Sequence, residues 1–216
     1  MPRPDRLVLV AGTGTEVGKT WVACRLASAL VSRSVRVAAR KPAQSFAPAS
    51  GPTDADRLGT ATGDDPQVVC PKARWYEVPL APPMAAEALD RPPPRLADLV
   101  DGLVWPPGVA LGLVETAGGV RSPLAVDGDT VDLADRLRPD AVIVVAHAGL
   151  GTINDVRLAV GALDRWPVSV VLNRFDGDDD LHVRNREWLA DRDEFDVVVD
   201  VGVMAEQYPT WCRPRG

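Results

Sequence analysis

Residues 7–20 read LVLVAGTGTEVGKT, an apolar strand that runs into a glycine-rich turn and closes on Gly18-Lys19-Thr20. The reading of this stretch decides the fold class. Glycines let a backbone wrap around phosphate oxygens and turn its N–H groups inward. Lys19 can then reach the terminal phosphates of a nucleotide, and the Thr20 hydroxyl is placed for Mg²⁺. A helix beginning near Val17 adds the positive end of its dipole. The loop departs from the common spacing in one respect. Four intervening residues before Gly18 would put glycine at 13, where the chain has Thr13; the outer glycine is Gly12, so the loop is one residue longer. A bare Gly-Lys-Thr is frequent by chance. Preceded by apolar strand residues and followed by the helical pattern Trp21, Cys24, Leu26, Ala27, Leu30, it reads as a phosphate-binding strand, loop and helix.

The rest of the chain alternates in the same way. Strands are expected over 7–11, 35–39, 109–114, 141–146, 168–172 and 197–201, and helices near 18–32, 53–62, 82–90, 95–103, 130–137, 152–164 and 180–190. Several strands are continuous apolar runs, as expected when both faces of a parallel sheet are covered. The expectation is one α/β domain over 1–216, a three-layer P-loop fold with a mainly parallel sheet and helices on both faces. Residues 45–53 read as a loop, Pro92-Pro93-Pro94 separates two helices, and the acidic run 176–180 reads as a solvated turn.

Composition bounds the function. The chain has 216 residues and a net charge of −6, which gives no electrostatic reason to expect nucleic acid or an anionic membrane as partner. Cys24, Cys70 and Cys212 are widely spaced and form no metal-binding pattern. The apolar run 141–146 is too short to span a bilayer, and no apolar leader precedes the first strand, so a cytoplasmic protein is expected.

Lysine usage sharpens the picture. Of 24 Lys plus Arg, only Lys19, Lys41 and Lys72 are lysines. Where arginine serves as the general cation, a lysine marks a place that needs a compact ammonium. Lys41 follows the second strand, at the carboxyl edge where ligands bind in open α/β sheets. Lys72 has no such setting and is expected on the surface.

Four more patches fall at strand ends. Lys41-Pro42-Ala43-Gln44-Ser45 is the first. Asp54-Ala55-Asp56 opens a helix, with Asp54 either an N-cap or a ligand. Glu115 ends a buried strand before Gly118-Gly119, which suits a metal ligand beside phosphate, with an arginine-paired structural Glu as the rival. Gly149-Leu150-Gly151-Thr152-Ile153-Asn154 is another glycine turn entering a helix, suited to a carboxylate.

Together these residues resemble the dethiobiotin synthetase family. The run 12–20 is similar to that family's P-loop, including its extra residue and Glu16. Lys41-Pro42, Glu115-x-Ala117-Gly118-Gly119, residues 149–154, Val171-Leu172-Asn173 and Pro79-Leu80-Ala81-Pro82 with Ala85-Ala86-Glu87 match in order and spacing. The resemblance spans roughly residues 7–175 and implies ATP-dependent closure of a cyclic urea from diaminopelargonic acid and carbon dioxide. It implies ATP contacts from Gly14, Thr15, Glu16, Val17, Gly18, Lys19 and Thr20, with Asn173 reading the base. It implies Mg²⁺ on Thr20, Asp54 and Glu115, and reaction at Lys19, Lys41, Thr15 and Ser45. Substrate would meet Lys41, Ser45, Gly118, Gly151, Thr152, Ile153 and Asn154, the last four reaching across a homodimer interface.

Three positions depart from the family pattern. Thr116 replaces a glycine and crowds the loop behind Glu115. Asp155 follows Asn154 where histidine is common, and Pro83 replaces another histidine. These departures leave room for a related P-loop ligase acting on a different acid. A Mrp/MinD-type switch ATPase is a further alternative, although residues 12–15 lack the additional lysine those proteins carry. For assembly, residues 109–116 and the 151–164 helix are expected at one sheet edge. Leu150, Ile153 and Val156 would form an apolar patch, buried by a second copy or under the chain's own C-terminal tail.

Overall fold

The computed structural model describes residues 3–49 and 51–212. Six parallel strands form the main sheet: β1 (Arg6–Gly12), β2 (Val37–Arg40), β5 (Leu111–Glu115), β6 (Ala141–His147), β7 (Val168–Asn173) and β8 (Asp196–Val198). Their spatial order is β2-β5-β1-β6-β7-β8, which puts the strand before the phosphate loop at the centre. Every pairing in it is parallel.

Period-two alternation along the central strand divides the core. Val8 and Val10 face one side, against α1 (Lys19–Val31) with Val22, Leu26, Ala27 and Leu30. Leu7 and Leu9 face the other, with Leu99 of α5 (Leu96–Asp101) and Leu133 of α6 (Thr130–Leu137). Each fully buried Leu or Val contributes roughly 1.5–3 kcal/mol relative to exposure, so two buried faces explain why the strands are apolar throughout. The remaining helices are α2 (Asp54–Thr62), α3 (Pro66–Val69), α4 (Pro82–Ala88), α7 (Thr152–Ala162), α8 (Asp180–Glu187) and α9 (Val201–Glu206). A π-helical turn, Trp188–Arg192, continues α8. Among the described residues no helix is long and apolar enough to cross a membrane.

The expected strands and helices are all present, with four differences. The last strand stops at Val198, because Asp200 caps α9 through Gly202 N–H and the chain turns helical at Val201. Two short strands, β3 (Gln44–Ser45) and β4 (Trp75–Tyr76), pair in parallel inside segments with no readable period. Thus the loop expected from residue 45 begins on a strand; Ser50 within it lies outside the described residues. The short α3 was also absent from the pattern.

The expected shared sheet edge is not observed. β5 lies between β2 and β1, whereas α7 follows β6 on the other side of β1. Val156 is fully buried in a core cluster with Leu172 and Leu189, so it cannot join Leu150 in a surface patch. The tail, described to Cys212, packs near α1, with Tyr208 Oη donating to Ala110 O, just before β5, at 3.2 Å, and leaves Leu150 92% exposed. Lys72 is on the surface, its ammonium 4.1 Å from the Trp75 ring centroid. The 176–180 run is an exposed turn whose Asp179 caps α8.

Candidate active site

Sheet register brings the charged residues together. Arg40 on β2 pairs with Val114 on β5, so Lys41 and Glu115, each one residue further on, leave adjacent strands at the same level. The Lys41 Nζ lies 2.5 Å from Glu115 Oε1 and 2.6 Å from Asp54 Oδ2. Thr20 Oγ1 lies 2.9 Å from Asp54 Oδ1 and 2.7 Å from Glu115 Oε1. A hydroxyl has one proton, so Thr20 donates to one carboxylate at a time.

Asp54 is free for this role because a different residue caps α2. Thr53 is the N-cap, in a reciprocal box with Asp56, which overturns the N-cap reading of Asp54. Gln44 Oε1 accepts from Ala55 N at 3.0 Å and ties the helix start to β3. Lys41 is held from behind. Its own N–H donates to Val69 O at 2.8 Å. The preceding Arg40 is fully buried, with Nε donating to Val104 O at 2.6 Å, Nη1 to Asp64 Oδ2 at 2.8 Å, and the guanidinium over Trp105. The sequence placed Gln44 in the patch after the second strand but gave neither it nor Arg40 a role, since both act through tertiary contacts.

Charge follows from these contacts. Burial opposes an ammonium at Lys41, but Glu115 and Asp54 outweigh it and hold its pKa above the ordinary value. Burial likewise opposes ionisation of Asp54, yet the Lys41 charge and hydrogen bonds from Lys41 and Thr20 lower its pKa. Among the described residues Lys19 has no direct carboxylate partner. Burial, with Lys41 adding repulsion, pulls it down to about 8.

The loop itself is braced. Lys19 Nζ donates to Gly14 O at 2.7 Å. Gly18 caps α1 at φ 98°, a left-handed conformation, and a Cβ there would lie 2.0 Å from Asn173 Nδ2. That close approach exists because Asn173 Nδ2 donates to Val17 O at 2.9 Å. The base-reading candidate therefore also fastens β7 to the loop. Thr116, the first departure from the family pattern, is accommodated: it is buried, and its N–H donates to Val10 O at 3.0 Å. Pro83 is buried in the first turn of α4, and Asp155 is exposed with its Oδ1 accepting from Asn154 Nδ2 at 3.1 Å.

A cavity of about 1530 Å³ opens over these groups and is lined by Thr15, Glu16, Gly18, Lys19, Thr20, Lys41, Ser45, Asp54, Glu115 and Gly118 among others. Gly14 and Val17 lie in the loop behind it, tied to Lys19 and Asn173 as described. Gly151, Thr152, Ile153 and Asn154 are not part of its lining. A second cavity of about 440 Å³ adjoins it through Gly18 and Trp21, and holds Asn173, Phe175, Val199 and Val201. In the sequence Trp21 is legible only as part of a helical pattern and Val199 and Val201 only as part of the expected 197–201 strand, and neither these nor Phe175 is assigned to a site.

The donor set fits a hard divalent cation. Thr20, Asp54 and Glu115 supply oxygen only, and Glu115 Oε2 is buried with no hydrogen-bond partner among the described residues.

A phosphate loop after the central strand, a buried lysine in it, and an acid-lysine cluster at the neighbouring strand ends define an α/β P-loop nucleotide enzyme. A protein-family model described as AAA domain matches residues 6–206. The ATP-dependent dethiobiotin synthetase BioD of Anaeromyxobacter dehalogenans (strain 2CP-C) is 41% identical over 184 residues, covering 82% of this chain and 81% of the relative. That of Rhodococcus jostii (strain RHA1) is 42% identical over 159 residues, covering 73% and 67%. The chain belongs to the ATP-dependent dethiobiotin synthetase family. A putative plasmid partition protein of Borrelia burgdorferi B31, solved with AMPPNP, shares the fold with a TM-score of 0.55 at 13% identity, covering 92% of this chain and 87% of that one. At that identity the likeness concerns the fold alone.

Proposed function

We propose that this chain, acting as a single cytoplasmic catalytic domain, makes dethiobiotin from diaminopelargonic acid, carbon dioxide and ATP in biotin biosynthesis. One amine of the substrate takes up carbon dioxide as a carbamate. A carbamate oxygen takes the γ-phosphoryl of ATP, and the second amine then attacks the mixed anhydride carbon, releasing phosphate and closing the ring. The observation that carries this reading is the Lys41 ammonium, buried between Asp54 and Glu115 beside the phosphate loop. Phosphoryl transfer needs positioned charge more than covalent help, and a lysine whose pKa its carboxylate neighbours hold up can neutralise the carbamate and the charge passing to phosphate.

Other residues take roles consistent with their surroundings. Loop amides from Gly14 to Thr20 and the Lys19 ammonium would bind the triphosphate. Mg²⁺, held by Thr20, Asp54 and Glu115, would supply charge neutralisation on the phosphates. Asn173 commits one of its two amide N–H groups to Val17 O, which leaves the other N–H and Oδ1 for a base. Ser45 Oγ is buried without a partner among the described residues and its residue lines the large cavity, so it suits a substrate hydrogen bond together with Thr15 and Gly118.

The substrate carboxylate would bind the 151–154 turn of a second copy in a homodimer. Two features support this: the turn lies outside its own chain's cavity, and Leu150 beside it is bare. The test is direct. Purified protein with Mg²⁺, ATP and bicarbonate should release phosphate only when diaminopelargonic acid is added, with dethiobiotin appearing in equal amount by mass spectrometry. Phosphate release independent of that amine would sink the assignment and favour the switch-ATPase alternative.

A further inference from the structure

Trp21 is 54% exposed, the third residue of α1 and one step past the proposed metal-binding Thr20. Helix geometry alone does not require an aromatic there. Its ring has the Arg25 guanidinium 5.8 Å from its centroid, and it lines both cavities, as Gly18 does. A triphosphate lying along the loop can extend its sugar and base in one of two directions. The large cavity contains Lys41, Asp54 and Glu115, the reacting end, and must admit the acceptor. The second cavity starts at Gly18 and is walled by Trp21, Phe175, Val199 and Val201 around Asn173. At about 440 Å³ it suits a nucleobase with its ribose, and its walls combine these apolar side chains with Asn173 and Arg174, the latter shared with the large cavity.

We infer that Trp21 is the stacking wall of the nucleotide site, holding a planar base in the second cavity. This rests on the nucleotide reading above and adds a binding residue to it. The chemistry is dispersion and π-overlap on the ring face, with Arg25 on the same indole. Because every base has a π-face, the contribution is shared by purine and pyrimidine nucleotides, and discrimination between them falls to Asn173. The phosphates owe nothing to the indole.

Calorimetric titration of the full chain with ATP, CTP and inorganic tripolyphosphate tests this. Trp21→Ala should weaken ATP and CTP by about 10-fold or more, the typical loss for removing a base-stacking aromatic, and leave tripolyphosphate unchanged. Trp21→Phe, which keeps a ring face, should stay within about 3-fold of the parent for all three. ATP should also quench a component of tryptophan emission that Trp21→Phe lacks. Unchanged ATP affinity in Trp21→Ala overturns the proposal. So does an equal loss for ATP and tripolyphosphate, which would mean that the residue acts through the loop. If the parent protein binds neither ATP nor tripolyphosphate, the phosphate-site reading itself fails and takes this inference with it.

Discussion

Two turns in this molecule use the same backbone device and differ in everything around it. After β1, Gly18 enters α1 at φ 98°; after β6, Gly151 enters α7 at φ 92°. Neither helix start has a side-chain cap, so both leave backbone N–H groups available to an anion. Around Gly18 the fold is closed: Asn173 presses on it, and Lys19 is buried next to the Lys41, Asp54 and Glu115 cluster. Around Gly151 nothing among the described residues lies within 4 Å of an added Cβ, and Leu150 stands in solvent. A helix N-terminus therefore supplies only a weak local preference for anions. The first turn is finished by its own chain, and the second is not.

The largest expected effect breaks the closed turn. Lys19→Ala should lower turnover by on the order of 100-fold or more and weaken ATP binding as well, since a preorganised cation on the phosphates is lost. Phosphate release and calorimetry measure the two parts, and full turnover in the variant would remove the phosphate site. Lys41→Gln should cost turnover on a similar scale, about 100-fold, while ATP binding stays close to the parent. Arginine at 41 should not rescue, because a planar fork cannot replace a point charge between two carboxylates. Activity retained in Lys41→Arg would reduce Lys41 to a structural strut.

The open turn is tested by Leu150→Asp. It should dissociate the proposed homodimer in sedimentation velocity and raise the KM for diaminopelargonic acid by on the order of 10-fold, with ATP affinity unaffected. A variant that stays dimeric with an unchanged KM would place the carboxylate site elsewhere.

The smallest effect is the pH dependence of the closed turn. Lys19 sits at about 8 instead of 10.5, so above pH 8 the free protein loses the ammonium that phosphates require. ATP affinity should then fall by up to about 10-fold per pH unit, and Lys19→Ala should abolish that slope. Stability runs the opposite way. Between about 8 and 10.5 the unfolded chain holds the Lys19 proton more tightly than the folded one, so this group makes the fold more stable as pH rises through that window. Urea melts of parent and Lys19→Ala at pH 7.5 and 9.5 would show the difference.

Much of this was legible in the order of residues. An apolar run, a glycine loop and Gly18-Lys19-Thr20 form a local unit, and local units are set by φ/ψ freedom, helix periodicity and alternation within a few residues of one another. The same holds for the six strands and for the rarity of lysine, which singled out Lys41. The misread features were non-local. Whether Asp54 caps α2 depends on which of Thr53 and Asp54 the helix begins after, and the freed Asp54 meets Lys41 only because α2 packs against β2. Val156 looked like a surface neighbour of Leu150 until helix α7 turned it into the core.

By itself, then, the sequence determined a P-loop α/β chain with a lysine-bearing loop, candidate acids at strand ends and a family. The tertiary structure alone decided that Lys41 sits between Asp54 and Glu115, that Asn173 braces Val17, that Trp21 faces two cavities, and that the Gly151 turn is left open. The physical reason is one of range. Backbone sterics and side-chain period act over a few residues, whereas strand order and register, which set these meetings, are fixed by burial of the whole sheet on both faces.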